Sequence, residues 1–478
     1  MPPSALDAVA SSFDHAKQLA DQQRRFEAGV LLDYYHNDLE EDFARTLRKV
    51  FVHPEEKLVV ELNPLRRFAD SRAQVFIEDP DITVQVGDDV SERDTDLWRY
   101  LADRGDWYDA LRDANSIEHV TGALHVMPHA VREGYLDLWL ITPDISKVMQ
   151  RIDAPHRAGA FMYTVFSMAD SAGASNPDEW VVWTDSEHFI VDDAGKFKGA
   201  PPGNDEMMNP YGMIPAKKIS AMRPPAGEYW PIGARDMLTV TRAINVALVA
   251  MEHGIINAGF TQGWSINFSE QVLSQRGPDV WMGAHNVKEG EVRPEIGGVN
   301  FSSDLMQQKE AVEYMMQQAA ILRGVPASEF RISGAPESGV ARWLDRLPLI
   351  ERRKLDVAKW RRDLRGLFRI IKQVWSVQRQ NPDIEVPSEW NYDFSEGAEL
   401  ITDFAEPKFP ESEAERLERW DKEIKLGITS PIDVIMERNP DMDREAAKQK
   451  LIEVAQDKQE FRGAGVLASI GLTPDQER

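Results

Sequence analysis

Gly334-Ala-Pro-Glu-Ser-Gly339 places two glycines at the spacing of a phosphate-binding loop. Such a loop turns backbone N–H groups onto phosphates, and a Lys and a Ser/Thr directly after it reach the phosphates and magnesium. Val340 and Ala341 stand where those two residues belong, Pro336 removes a backbone donor, and no apolar strand leads in. The segment reads as a flexible loop. Metal ligation has little to draw on: the ten His are scattered and HExxH is absent. His119, His125 and His129 are six and four apart, but Pro128 argues against the helical face that would bring the last two together. They read as core or solvated side chains, and neither metal nor cofactor is expected. No G-x-S-x-G elbow marks a Ser nucleophile. The absence of cysteine removes thiolate nucleophiles, disulfides, thiolate zinc sites and iron–sulfur clusters. Asp88/Asp89 and Asp192/Asp193 flank turns, where solvent satisfies them. With no secretory signal, Asn267-Phe-Ser and Asn300-Phe-Ser carry no glycosylation argument. No catalytic residue is predicted.

Charge is the more informative signal. The 478 residues carry 55 Lys+Arg against 80 Asp+Glu, a net −25. A field of that sign repels nucleic-acid backbones as a whole. One segment runs the other way: from Arg342 to Arg379 there are twelve Lys/Arg and four acids, net +8, leaving −33 for the rest. At 100° per residue, Lys354, Arg361, Arg365, Arg369 and Lys372 share one arc beside an apolar stripe. That face can touch DNA, or meet an acidic face of the same or a neighbouring subunit; both readings stand at this level.

The elements that carry these residues follow from patterning. Length suggests two to four domains, with a core large enough to need no staples. Helical spacing runs through 13–50 (Phe13, Ala16, Leu19, Phe26, Val30, Leu39, Phe43, Leu47) and again through 95–120. From about 121 short β-type segments follow, at 124–126, 137–141, 161–168, 181–183 and 188–191, with Asp192-Asp193-Ala194-Gly195 as a hairpin turn. Residues 199–232, with seven prolines, read as irregular connection. A mostly apolar helix is predicted over 234–258; as Ala243–Phe260 contains Glu252, His253 and two Asn, it is not read as a bilayer span. Strands near 264–268 and 299–302 precede a returning helix over 304–323, capped by Ser302 or Ser303. Residues 324–339 form a 16-residue loop, and a long helix over about 340–380 carries Val357, Trp360, Leu364, Leu367, Phe368, Ile371, Val374 and Trp375 as one stripe, with Pro348 as a point of kinking. In the acidic tail, Ser412–Glu415 opens a helix that stops at Gly427, and Ser430-Pro431 opens the next. The N-terminus has no basic or apolar leader pattern, so a soluble intracellular protein is expected. The fold class is α+β.

The order and wording of these segments resemble the portal proteins of tailed bacteriophages, which form the head–tail connector ring. The resemblance rests on Asn209-Pro-Tyr-Gly-Met-Ile-Pro215, on Pro231-Ile-Gly-Ala-Arg-Asp-Met-Leu through Asn245, and on the helix–β–helix excursion 234–323. It continues through Gly324-Val-Pro, Phe330, Ser338-Gly-Val-Ala341, Leu417-Glu-Arg-Trp-Asp-Lys and Gly427-Ile-Thr-Ser-Pro. It covers about 205–460, and more loosely the part before. It implies a non-enzymatic ring, usually of twelve subunits, at one capsid vertex, through which double-stranded DNA is packaged and ejected. Residues 1–233 would be the N-terminal wing region, 234–258 and 304–323 the stem helices, and 259–303 the clip, with Trp264, Phe268 and Trp281 in docking. The tunnel loop would be 324–340, with Glu329, Phe330, Arg331, Glu337 and Ser338 at the channel. A long wing helix and returning strand (341–399) and a helical crown region (400–478) would complete it. Implied partners are other copies of the chain, DNA, the terminase large subunit, the major capsid or scaffolding protein and a head–tail adaptor, without a membrane. The implied location is the virion, after assembly in the bacterial cytoplasm. Two other classes remain as alternatives: an enzyme acting on phosphates or nucleic acid, and a virion or scaffolding component without a channel.

Overall fold

Helical and alternating patterns sort the chain into helices around small antiparallel sheets, the α+β class that the sequence predicts. The computed structural model describes residues 4–13, 15–50, 62–166, 175–259, 262–266, 295–299, 305–326, 328, 339–406, 413–439 and 442–463. They belong to two units, Met1–Pro336 with Leu344–Glu406, and Glu337–Trp343 with Pro407–Arg478.

The helical start of the first unit is three helices rather than one stretch. After α1 (Leu6–Ser11), α2 (His15–His36) ends where Asn37 turns left-handed (φ 68°), and α3 (Glu40–Val50) restarts with three acids in its first turn. α4 (Pro64–Arg72) went unpredicted, although its signal is ordinary: Asn63 accepts from Arg66 N at 3.1 Å and Pro64 opens the helix. The region 95–120 likewise divides, into α5 (Glu92–Arg104), capped by Ser91, and α6 (Trp107–Thr121), with left-handed Asp106 between them.

Three sheets build the rest of this body. β1 (Asp81–Val86) pairs with β2 (Asp89–Val90) and with β13 (Ala398–Asp403), Asp81 opposite Asp403 and Val86 opposite Ala398. β3 (Ala123–Val131) lies between β4 (Tyr135–Ile141) and β10 (Lys217–Ser220). β10 corrects the reading of 199–232 as wholly irregular: a four-residue strand among prolines is too short to show a period. The third sheet is an antiparallel meander of β5 (Ser146–Gln150), β6 (Ala158–Phe166), β7 (Ser175–Trp183), β8 (His188–Asp192) and β9 (Phe197–Gly199). The predicted turn between the last two holds: Gly195 has φ 77°, and Asp192 Oδ1 accepts from Ala194 N and Lys196 N. Alternation covers both faces of this sheet, with Ala160, Met162 and Trp180 on the α1 side and Phe161, Tyr163 and Val181 facing Met127 and Ile141.

Between β10 and β13 the chain makes an excursion. α7 (Arg235–Gly259) leads to β11 (Gln262–Ile266), which pairs antiparallel with β12 (Glu295–Val299), and α8 (Leu305–Leu322) returns. The strands sit two to four residues before their predicted positions. α9 (Gly339–Gln378) follows, a 40-residue helix that Pro348 does not end. At 1.5 Å per residue it is roughly 60 Å long. Its predicted stripe is buried from Val357 to Trp375, against β1, β13, α5, α6 and the β3–β4 pair. Phe76 meets Trp360 edge-on at 4.8 Å, and Trp98 meets Phe368 at 5.6 Å.

The second unit contains α10 (Glu413–Leu426), α11 (Pro431–Arg438) and α12 (Arg444–Gly463). Gly427 (φ 70°) ends α10 as predicted, Ser430 and Asp433 form a capping box on α11, and buried Trp420 donates to Glu437 at 2.9 Å. The proposed caps Ser412, Ser302 and Ser303 lie outside the described residues.

Trp360 is fully buried and donates to Asn115 and Glu118 as well as packing on Phe76. Trp360→Ala should lower stability by about 4 kcal/mol, with most of the loss in packing. Urea unfolding followed by circular dichroism measures this; a loss under about 1 kcal/mol would contradict this account of the core.

Candidate functional site: a charged junction at the root of a helical arm

α7 and α8 form an arm whose root is sunk in the body. Met237, Leu238 and Ile244 of α7 and Val312, Met316, Ala319 and Ala320 of α8 share one buried cluster with Val30, Leu31 and Tyr34 of α2 and Leu65 and Phe68 of α4. α3 adds Phe43 and Leu47 against Val249. Arg242 grips Asp42 through two hydrogen bonds, at 2.7 and 2.8 Å, while Tyr34 donates to the same carboxylate. This bidentate geometry fixes orientation as well as distance.

Where α8 ends, charges concentrate. Arg323 pairs with Asp236 at the start of α7, closing the arm on itself. Gly324 takes φ 70°, turning the chain out of the helix, and Val325 is buried behind it. Arg72 at the end of α4 donates to the Arg323 carbonyl at 3.2 Å and to Asp356 of α9 at 3.4 Å. Next to it Lys359 of α9 pairs with Glu118 of α6, whose other oxygen accepts from Trp360 Nε1 at 3.0 Å. Asp363 takes Lys217 of β10 at 3.2 Å. Gly366 sits against this pair: a Cβ there would lie 2.8 Å from Lys217 Cε, so a side chain would push the flexible end of Lys217 aside. The junction thus ties α4, α6, α7, α8, β10 and α9 together at the point where the chain leaves the arm.

The paired charges of this arrangement anchor the helices to one another. Glu118 has the raised pKa often seen in an acid catalyst, but its side chain is buried and both its oxygens are engaged, by Lys359 and Trp360. Among the described residues no three His, Asp or Glu gather as a metal site would require. His125 and His129 sit four residues apart on β3, not on a helix: His125 bonds Tyr229 at 2.7 Å and His129 stacks on Trp139 at 3.9 Å. Among the described residues no helix is long and apolar enough to cross a membrane.

The predicted basic arc divides in two. Arg361 donates to the Thr402 carbonyl at 3.2 Å and meets Asp403 at 3.4 Å, and Lys372 donates to the Ala398 carbonyl at 2.6 Å, so these two hold β13. Lys354, Arg365 and Arg369 are exposed. Arg353, outside the predicted arc, adds bonds to the carbonyls of Gln74 and Ala405. Trp264 lies on β11, while Phe268, Trp281, Glu329, Phe330, Arg331, Glu337 and Ser338 lie outside the described residues.

No family model and no curated protein matches the chain. Among solved structures it is similar to a chain in the virion of a native gene transfer agent particle, at 15% identity and a TM-score of 0.42, covering 81% of this chain and 89% of that one. A chain in the neck of the empty particle, computed with C6 symmetry, gives 15% and 0.42 over 82% and 90%. One in the neck of the native particle, computed with C12 symmetry, gives 14% and 0.41 over 82% and 90%.

The residues that sequence reasoning missed are Arg72, Glu118, Arg323, Asp356 and Lys359, whereas His119 is buried, as one of its two sequence readings has it. Their signal was positional. Glu118 falls a helical repeat after Leu111 and Ala114 on the face that packs inward, and Asp356 and Lys359 sit within the stripe that Val357 and Trp360 define.

Burial pushes the Glu118 carboxyl up to about 7, against the opposing pull of Lys359. The folded chain therefore holds this proton more tightly than the unfolded chain, where the carboxyl titrates near 4.5. The stability it contributes is fully present below about pH 4.5 and is lost as pH rises through about 7. Glu118→Gln should remove that part of the pH dependence. Urea midpoints at pH 5 and pH 7.5 measure it, and identical slopes in wild type and variant would refute the assignment.

Proposed function

We propose that this chain is the subunit of a phage-type portal: a ring that conducts double-stranded DNA into and out of a capsid and docks the terminase large subunit and a head–tail adaptor. The observation that carries this reading is the arm. A 25-residue helix leads out, a two-stranded β element caps the excursion, an 18-residue helix leads back, and a 40-residue helix follows behind the junction. These occur in the order of the segments through which the sequence resembles portals. In this reading α7 and α8 are the stem, 259–303 the clip with Trp264, Phe268 and Trp281 in docking, 324–340 the tunnel loop and α9 the wing helix. The crown region is 400–478.

The charge supports a conduit. A positive lining would neutralise phosphates, release counterions and hold DNA in place. A net −25 per subunit opposes such a grip and favours movement. The exposed cations Lys354, Arg365 and Arg369 are then matched by a neighbouring subunit, a contact that salt weakens.

Native mass measurement with negative-stain imaging tests the reading: closed rings with a central hole are expected, and monomers or filaments would overturn it. Deleting 328–337 should leave rings intact while impairing packaging or retention of DNA. Normal packaging by that variant would remove Glu329, Arg331 and Glu337 from the channel.

A further inference from the structure

A cavity of about 420 Å³ opens beside the junction, between the ends of α6 and α8 and the turn of α9 that carries Pro348 and Arg352. Three guanidinium groups line it: Arg72, Arg323 and Arg352. So does His119, which is more than nine-tenths buried and whose Nε2 has no hydrogen-bond partner. A buried polar nitrogen in that state is a group that a bound ligand can satisfy. The arginines have donors to spare, since each carries five N–H groups. Arg72 donates to the Arg323 carbonyl and to Asp356, Arg323 pairs with Asp236, and Arg352 reaches Asp356 only at 3.9 Å. The one acid among the lining residues, Glu118, is engaged by Lys359 and Trp360.

We propose that this cavity binds a tetrahedral oxyanion, held by Arg72, Arg323, Arg352 and the Nε2–H of His119. Planar forks and an imidazole N–H converging on one space suit the several acceptor oxygens of a phosphate. His119 is held neutral by burial and by the positive charges of Arg72, Lys359, Arg352 and Arg323, so it donates through one nitrogen without adding a further charge. The phosphate can come from free inorganic phosphate or from a nucleic-acid backbone. The site does not depend on the portal reading, because it is assembled from groups already on the body.

Calorimetric titration of the full chain with inorganic phosphate, and with sulfate as a second tetrahedral probe, tests the site. Saturable binding is expected, along with a rise in melting temperature beyond that from sodium chloride at equal ionic strength. Arg352→Gln, at a half-exposed position, should weaken phosphate about tenfold. His119→Leu removes the unpartnered nitrogen while filling its space, so it should keep the stability of the phosphate-free protein and lose phosphate affinity. A short DNA duplex that displaces phosphate from wild type identifies backbone phosphate as the ligand; a duplex that leaves phosphate in place identifies the free ion. No binding beyond the salt control, or unchanged affinity in both variants, overturns the proposal.

Discussion

A 40-residue helix with charges along its length can be buried only where each inward charge meets an opposite charge or a carbonyl. α9 meets that condition with partners drawn from distant parts of the chain: Asp356 with Arg72, Lys359 with Glu118, Asp363 with Lys217, and Arg353 with two backbone carbonyls. Losing one member of such a pair leaves a bare buried charge, which typically costs about 3–5 kcal/mol. The pairs therefore select one register of α9 against the body as well as adding attraction. The aromatic stripe from Trp360 to Trp375 closes around that register.

The arm depends on the same helix. Arg72 reaches Asp356 on one side and the last turn of α8 on the other, so the place where the excursion returns is set by where α9 lies. Arg323 and Asp236 join the two arm helices at their root. A single guanidinium, that of Arg72, thus links α9 to the end of α8.

Much of this was legible in the residues. The long helices announced themselves through unbroken 3.6 periodicity, and the meander through β-branched and aromatic pairs bounded by turns. Breaks at single residues, such as Asn37 and Asp106, were not legible, because one left-handed residue changes a helix's direction without altering its apolar spacing. β10 and β1 were hidden for another reason: their partners, β3 and β13, supply the pairing that a four- or six-residue run cannot advertise. The junction was missed because Glu118, Asp356 and Lys359 are charged, and charge normally marks the solvent side. Here they lie on the inner face, and only the three-dimensional meeting of four helices shows why that is tolerated.

The pairing of β1 with β13 joins residues 312 to 322 positions apart. On a ribosome adding about 5–20 residues per second, β1 waits roughly 15 to 60 s for its partner to be made. For most of that interval Ile82 and Val84, buried in the finished protein, have neither the β13 strand nor the cover of α9. The nascent chain thus carries an open apolar edge while the whole arm is being synthesised. The long sequence separation of this pairing thus sets how long the unfinished body is exposed to aggregation, independently of how stable the finished body is.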